Sequence, residues 1–460
     1  MRSNRYVAQP MRRLRRIAHW RGRRVWLRDP ARALRLLGDD PKRLDAESAS
    51  IRAWLLLTYA RDPDRAEEAA RAALAQDGDT RFASATLAEI HMRRGEADEA
   101  IAVLQAARDR LPEVKWYELT LVDMLEEAGR VPQAEALLEE ALADGELRRH
   151  ALKRLSRLAL ERGDRPRARR FFTDLVALEP DYLVYASDYV TLGTLQLEDG
   201  DRDAARETWR AGAGVYPRNA DLRRLLAEHF AETPPERAPN IPPVREEELG
   251  VRRIPVRTPM ITARTGVFEV VDDATAEVRR DGDVVALAES AAAAGQGRLV
   301  PLELIKPGPL ARLLSRFVGK IGPLHSAEGM QGAIMEAGRP RVVAGTIAAI
   351  VTKPFGRRGW FYRVAGQGTA LIDDVAAALP PNDHHMVFGP RDPDGLAAEL
   401  AVRLGCGAAI VDANHLSGAW VVAASEGIER RWLEAALNDN PAGNQDERTP
   451  VVIVRRAEVS

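Results

Sequence analysis

A period of 34 residues governs the first half of the chain and leaves it few folds to choose from. Gly95, Gly129 and Gly163 fall 34 positions apart, as do Ala100, Ala134 and Ala168, and the large residues Leu104, Leu138 and Phe172. The next stretch slips by three residues, then restores the order as Leu192-Gly193, Gly200, Ala205, Trp209 and Pro217. Pro112, Pro180 and Pro217 close three of the units, and Ala, Leu, Arg and Glu fill the intervals at helical spacing. A small residue lets paired helices approach, a glycine turns the chain between them, and a proline stops the second helix. One such pair cannot bury its apolar face alone, so the units must stack. The frame predicts units at 80–113, 114–147, 148–181 and about 186–219, a degenerate unit at 46–79, and a closing helix near 219–231.

This spacing resembles that of tetratricopeptide repeats, which implies an all-α solenoid with a partner-binding face. That face has two possible uses, to hold another protein or to scaffold only its own chain. Arg-rich stretches such as "RRHALKRLSR" read either as a groove for an acidic ligand or as solvated faces.

Five prolines between Pro234 and Pro243 forbid helix and favour an extended spacer. Beyond them the pattern changes to short β-branched runs bounded by turn residues: "RIPVRTPMI", "GVFEVV", "DGDVVALA", "PRVVAGTIAAIV", "FYRVAG", "HHMVFGP", "GAAIVDA", "GAWVVAAS" and "TPVVIVRR". Helical stretches alternate with them: "PLARLLSRFVGKI", "AEGMQGAIMEAG", "GLAAELAVRLG" and "ERRWLEAALND". The expected organisation is a basic helical leader at 1–45, the solenoid at 46–232, a linker at 233–249 and an α/β domain with a mixed sheet at 250–460.

Composition excludes several function classes. The formal net charge is −1, which argues for neither a nucleic-acid nor an acidic partner, so no nucleic acid is expected, and no apolar run is long enough for a membrane span. A single cysteine, Cys406, rules out an internal disulfide and any multi-cysteine metal site, and fits a cytoplasmic setting. It is expected to be a buried small residue before a strand. The leader "MRRLRRIAHWRGRRVWLRDP" is too dispersed in its apolar residues for a signal peptide; it reads as a helix docked by its tryptophans, or as a basic segment for lipid or RNA.

The polar residues at predicted strand ends carry the chemistry. Asp373 and Asp374 close "ALIDD", and Asp412 and Asn414 close "AIVDAN", where alternation puts the latter two on one side. Carboxylate and amide oxygens of this kind suit Mg²⁺ or Mn²⁺, although Asp-Ala-Asn also serves as a turn or helix cap. Lys353, Arg357, Arg358 and Arg363 are candidates to face phosphates, and Gly366 opens "GQGTAL", which lacks the third glycine of a dinucleotide fingerprint. His384 and His385 are expected to point to opposite strand faces. The alanine run ending in Gly-Gln-Gly-Arg either packs a crossover or brings backbone N–H groups, Gly297 and Arg298 toward a phosphate, with Glu289 closing the preceding strand.

In order, "DGDVVALAES…GQGR", "TKPFGRRGWFYRVAG…IDD", "GPRDPD", "IVDAN" and "DNPAGNQDERTPVVIVRR" together resemble the coenzyme F-420-0:L-glutamate ligase family, in a divergent bacterial branch. The resemblance covers about 200 residues. It implies a ligase that uses GTP and a divalent metal to join L-glutamate, or another amino acid, to a carboxylate acceptor through an amide. Asp373, Asp412 and Asn414 would then hold the metal. Glu289, Gly297, Arg358, Gly366 and Gln445 would meet the nucleotide, and Arg298, Lys353 and Arg363 would act on the transferred phosphoryl group. Glu289 stands where a lysine is common in the family, and "ALIDD" and "VDANHL" depart from the main branch. These departures bear on the acceptor more than on metal or nucleotide. The repeats would recruit a protein or a carrier-bound substrate. The rival expectation is a non-catalytic, nucleotide-sensing adaptor whose solenoid does the work.

Overall fold

The structure is a computed structural model, and it describes residues 17–76, 80–178, 184–234, 241–317, 323–355, 359–373, 382–414, 418–443 and 446–457. From residue 46 to 230 the described chain is helical, in the order Ala46–Thr58, Pro63–Leu74, Arg81–Arg93, Ala97–Arg110, Trp116–Glu127, Val131–Ala141, Arg148–Glu161, Arg165–Val176, Ala186–Glu198, Arg202–Val215 and Ala220–Phe230. This is the tetratricopeptide order the 34-residue period demands. The repeated glycines serve backbone conformation. Gly95, Gly129, Gly163 and Gly200 have φ between +72° and +85°, and a β-carbon would meet nothing at any of them. The alanines serve space, since Ala100, Ala134, Ala168 and Ala205 are wholly buried. Gly193 also serves space. A β-carbon there would lie 2.2 Å from Nε1 of Trp209, so the repeat that slips in register has exchanged a small residue for a glycine under a tryptophan.

The chain gathers into two compact units that do not follow sequence order. The first takes residues up to 130 together with 296–375 and 384–389; the second takes 131–295, 376–383 and 390–460. Repeat helices and segments of the second half therefore occur in both.

In the first unit one apolar core runs from Trp26, Leu27 and Leu55–Leu57 to Val300, Met330, Phe361, Ile372 and Phe388. A helix covering 17–25 leads into it. Trp26 docks that helix, while Trp20 stays 44% exposed and stacks beneath Arg24. A small sheet pairs β3 (Leu299–Pro301) antiparallel with β4 (His385–Val387). Two runs expected as strands are helices here. "PRVVAGTIAAIV" forms Arg339–Thr352, and "FYRVAG" forms Trp360–Ala365. Pro340 sits in the first turn of the former, and Gly345 lets it approach the Phe361 carbonyl so closely that a β-carbon would meet it at 2.9 Å. The β-branched composition loses to this packing. "PLARLLSRFVGKI" is helical over Pro309–Leu314, with a further 3₁₀ turn at Ser315–Phe317.

The second unit holds a five-stranded mixed sheet in the order β1 (Val251–Val256), β7 (Val451–Arg456), β2 (Val284–Ala288), β5 (Gly407–Asn414) and β6 (Gly418–Ala424). Only β2 and β5 run parallel; the other neighbours are antiparallel. "GVFEVV", expected as a strand, lies in the helix Phe268–Thr275, with Val270, Val271 and Thr275 buried on one face at helical spacing. The strand β2 ends at Ala288, and Glu289 starts the helix Glu289–Gly295 instead of closing the strand. Ala292 and Ala293 are wholly buried, and a β-carbon on Gly295 would meet Val267 at 2.3 Å, so the alanine run is a close-packing helix.

Candidate functional site

The residues Ala408–Val411 are buried in the sheet, between β2 and β6, and carry β5 outward to Asp412 and Asn414. Both polar residues are half-buried, on the same face of the strand, with Asp412 opposite Trp420 and Asn414 opposite Gly418. Burial pushes the Asp412 carboxyl above its ordinary value, and a hydrogen bond with Asn414 opposes this. A carboxylate held in a partly dry position is the kind of donor a hard divalent cation takes, but Asn414 meets the carboxylate with its amide N–H, not with its oxygen. Among the described residues, no group of three or more His, Cys, Asp or Glu side chains is placed to hold a metal ion. Asp412 and Asn414 therefore fit a metal only in part.

Asp373 belongs to the first unit. Its backbone exchanges two hydrogen bonds with Val387, each 3.0 Å. The structure thus brings Asp412 and Asn414 together and fixes Asp373 by its main chain. Arg358 and Gln445, with Arg357 and Asp374, lie outside the described residues.

Arg298 is the most constrained of the expected phosphate-facing cations. It follows Gly297, whose φ of +66° turns the chain. Its guanidinium is buried, and each of its nitrogens is used: Nε donates to Gly389 O, the first terminal nitrogen to Leu27 O, and the second to Glu336 Oε2, all at 2.8 Å. Its own carbonyl accepts from the Phe388 amide at 3.0 Å. This geometry makes Arg298 an internal anchor for three segments of the first unit. Lys353 is exposed in the 3₁₀ turn Lys353–Phe355. Arg363 is exposed on the helix Trp360–Ala365 and lies 5.5 Å from the Trp360 ring centre. Gly366, with φ of +109°, ends that helix, and Glu289 is buried in the second unit.

The second unit contains a cluster that the sequence did not single out. On the helix Arg148–Glu161, His150 Nδ1 lies 2.6 Å from Asp383 Oδ2, and an Arg154 guanidinium nitrogen donates to Asp383 Oδ1 at 3.3 Å. On the same helix Lys153 donates to both oxygens of Asp188, at 2.7 and 2.6 Å. Ser187 donates to Asp446 at 2.6 Å. The basic stretch "RRHALKRLSR" does hold an acid, and the acid is the chain's own. The only sequence signal was Asp383 itself, in "PPNDHH", beside histidines that drew attention first.

Those histidines do not point apart. Their ring centres are 4.1 Å from each other, because β4 begins only at His385 and strand alternation does not reach His384. Cys406 is half-buried rather than buried; burial raises its thiol pKa.

With this geometry in place, the comparisons define the class: a tetratricopeptide-repeat chain with a ligase-like second half. The model of the F420-0:Gamma-glutamyl ligase family matches residues 255–410, and the tetratricopeptide repeat model matches 52–114, 119–182 and 190–234. The chain is similar to the coenzyme F420:L-glutamate ligase of Methanothermobacter thermautotrophicus, 29% identical over 209 residues, which cover 38% of this chain and 75% of that protein. Solved structures similar to it include pilF of Pseudomonas aeruginosa (19% identity, TM-score 0.33, covering 47% of this chain and 98% of that one). Another is PilW, a type IV pilus biogenesis factor (22% identity, TM-score 0.31, covering 49% and 100%). Asp373, Arg298, Lys353 and Arg363 lie inside the matched ligase segment, whereas Asp412 and Asn414 lie just beyond its end at residue 410.

Proposed function

We propose that the chain is an amide-bond-forming ligase, joining L-glutamate or another amino acid to a carboxylate acceptor. The observation that carries this is the ligase-family match over 255–410, together with the 29% identical glutamate ligase. In this proposal GTP gives its γ-phosphoryl group to the acceptor carboxylate, forming an acyl phosphate and GDP. The amine then attacks the acyl carbon, phosphate leaves with the C–O bonding pair, and the amine proton passes to solvent or a nearby base. A Mg²⁺ or Mn²⁺ ion, when bound, would offset phosphate charge, and in this proposal Asp412 and Asn414 would contribute to holding it. Among the described residues no third acidic ligand accompanies them, so no step is assigned to the ion. Lys353 and Arg363 remain exposed cations able to meet phosphate. The repeats support a role in protein interaction, which here becomes recruitment of a protein or carrier-bound acceptor.

One observation favours the rival, a nucleotide-sensing adaptor: Arg298 is spent on internal contacts. The test is direct. Purified protein is incubated with GTP or ATP, Mg²⁺ or Mn²⁺, labelled glutamate and a panel of small acids. Stoichiometric release of phosphate and labelled amide supports the ligase. Metal-dependent nucleotide binding without either product supports the adaptor.

A further inference from the structure

The first unit contains a cavity of about 400 Å³ that the ligase proposal does not use. Its lining comes from the helix 17–25, the first repeats and the segment 304–340, and includes neither Asp412 nor Asn414. Six cations line it: Arg23, Arg24, Arg28, Arg81, Lys306 and Arg339. Against them stands one acid of the described lining, Glu47, which pairs with Arg23 at 2.9 Å. None of the ion pairs among the described residues involves Arg24, Arg28 or Arg339. Arg24, Arg28 and Arg339, three like charges lining one cavity, raise the local potential and favour an anion.

The placement of these cations is built into the fold. The Arg28 guanidinium lies so close to Gly338 that a β-carbon there would meet it at 2.2 Å. Gly338 itself has φ of +86°, which suits glycine, and it precedes Arg339 at the start of the helix Arg339–Thr352. Arg28 and Arg339 are thereby held at one rim. Burial and the charge of Arg339 both weaken protonation of Arg24, as expected where cations crowd.

Apart from Ser50 and Gln331, the rest of the lining is apolar. Trp26 and Phe82 meet edge to face, 5.5 Å between centres, and Leu304, Ile334 and Met335 continue the surface. A cationic rim over an aromatic and aliphatic floor, at a volume within the range of small-molecule sites, matches a ligand with a phosphate chain and a flat apolar body.

We propose that this cavity binds a nucleoside polyphosphate, with its phosphates on Arg24, Arg28 and Arg339 and its base against Trp26 and Phe82. Because the lining excludes Asp412 and Asn414, binding here needs no divalent metal. The test is calorimetric titration of the full chain with ATP, GTP and inorganic tripolyphosphate in EDTA. The expected result is nucleotide binding that weakens with added salt, is tighter than tripolyphosphate binding, and falls at least tenfold in the double variant Arg28→Gln/Arg339→Gln. Both side chains are exposed, so the variant should melt like the parent. Asp412→Ala should leave this binding intact, which separates the cavity from the site of the proposed ligase reaction. Absence of binding by every probe at millimolar concentration would overturn the proposal. So would unchanged binding in the double variant, or loss of binding in Asp412→Ala. Equal affinity for tripolyphosphate and nucleotides would overturn the base contact.

Discussion

His150 and Asp383 stand 2.6 Å apart across more than two hundred positions of sequence, in a buried cluster completed by Arg154. The repeat helix supplies His150 and Arg154, and the second half supplies the acid. Removing one partner of a buried, hydrogen-bonded charge group strands the other, at about 3–5 kcal/mol. Asp383→Ala is expected to lose stability of that order in urea unfolding, and Asp383→Asn less, because the amide retains hydrogen bonding. An Asp383→Ala protein as stable as the parent would remove the cluster from the account of the fold.

Arg298→Lys keeps the charge and loses the fork. A lysine cannot serve Gly389, Leu27 and Glu336 together, so stability should fall by about 2–4 kcal/mol, the sum of a few charge-assisted hydrogen bonds less relaxation. Chemical denaturation measures this. If Arg298→Lys melts like the parent while phosphate release from GTP disappears, Arg298 is catalytic after all.

Asp412 should give stability a particular pH dependence. Its carboxyl is raised by burial, so the folded state holds the proton more tightly than the unfolded chain. Its contribution is therefore fully present below the unfolded value near 3.8 and is lost as pH rises through the folded value. Asp412→Asn should melt higher than the parent at neutral pH, with the gap closing toward acid. If Asp412 and Asn414 hold a divalent ion, Mn²⁺ should raise the melting temperature of the parent more than that of Asp412→Asn. Equal shifts would take Asp412 out of any metal site.

Asp283 should behave in the opposite sense. Burial alone would raise this carboxyl. The two hydrogen bonds from Arg455, each 2.8 Å, and one from the Arg280 amide outweigh burial and hold it below its ordinary value. Its stabilisation is present above the unfolded value and is lost as pH falls through the folded one. Asp283→Asn should cost about 1.5–3 kcal/mol at pH 7, and the difference from the parent should shrink in acid. A difference that stays constant with pH would show that the ion pair contributes nothing.

Two repeat glycines should fail for different reasons. Gly193→Ala drives a methyl into Trp209 and should cost about 1–3 kcal/mol. Gly129→Ala meets no atom but must adopt φ near +72°, at a cost of about 1 kcal/mol. Thermal melts of the pair rank the two effects, and equal costs would refute the distinction.

The helical half was legible because period, turn glycines and stopping prolines act locally and coincide. The mixed sheet was legible where apolar runs were short and bounded, as in β2, β5 and β7. Three runs misled. Phe268–Thr275, Arg339–Thr352 and Trp360–Ala365 look strand-like in composition but are helices, and for Arg339–Thr352 the deciding terms were an early proline and a glycine under the Phe361 carbonyl. At the candidate site, alternation along one strand sufficed to align Asp412 with Asn414. It could not show that Arg298 would be consumed by a carbonyl of residue 27, or that Asp383 would seat against His150 and Arg154. Those are long-range pairings, and no local spacing encodes them.

The core that joins Trp26 and Leu55 to Met330 and Phe388 has a consequence for how this chain can be divided. A repeat array is ordinarily a cassette, gained or lost without injury to its neighbour. Here a cut near residue 240 would leave each fragment with half of an interior, facing water. Such fragments, expressed together from separate messages, should find each other and copurify as a noncovalent whole. Expressed singly, each should aggregate or be degraded, so the linear order of the message is a poor map of what is inherited as one piece.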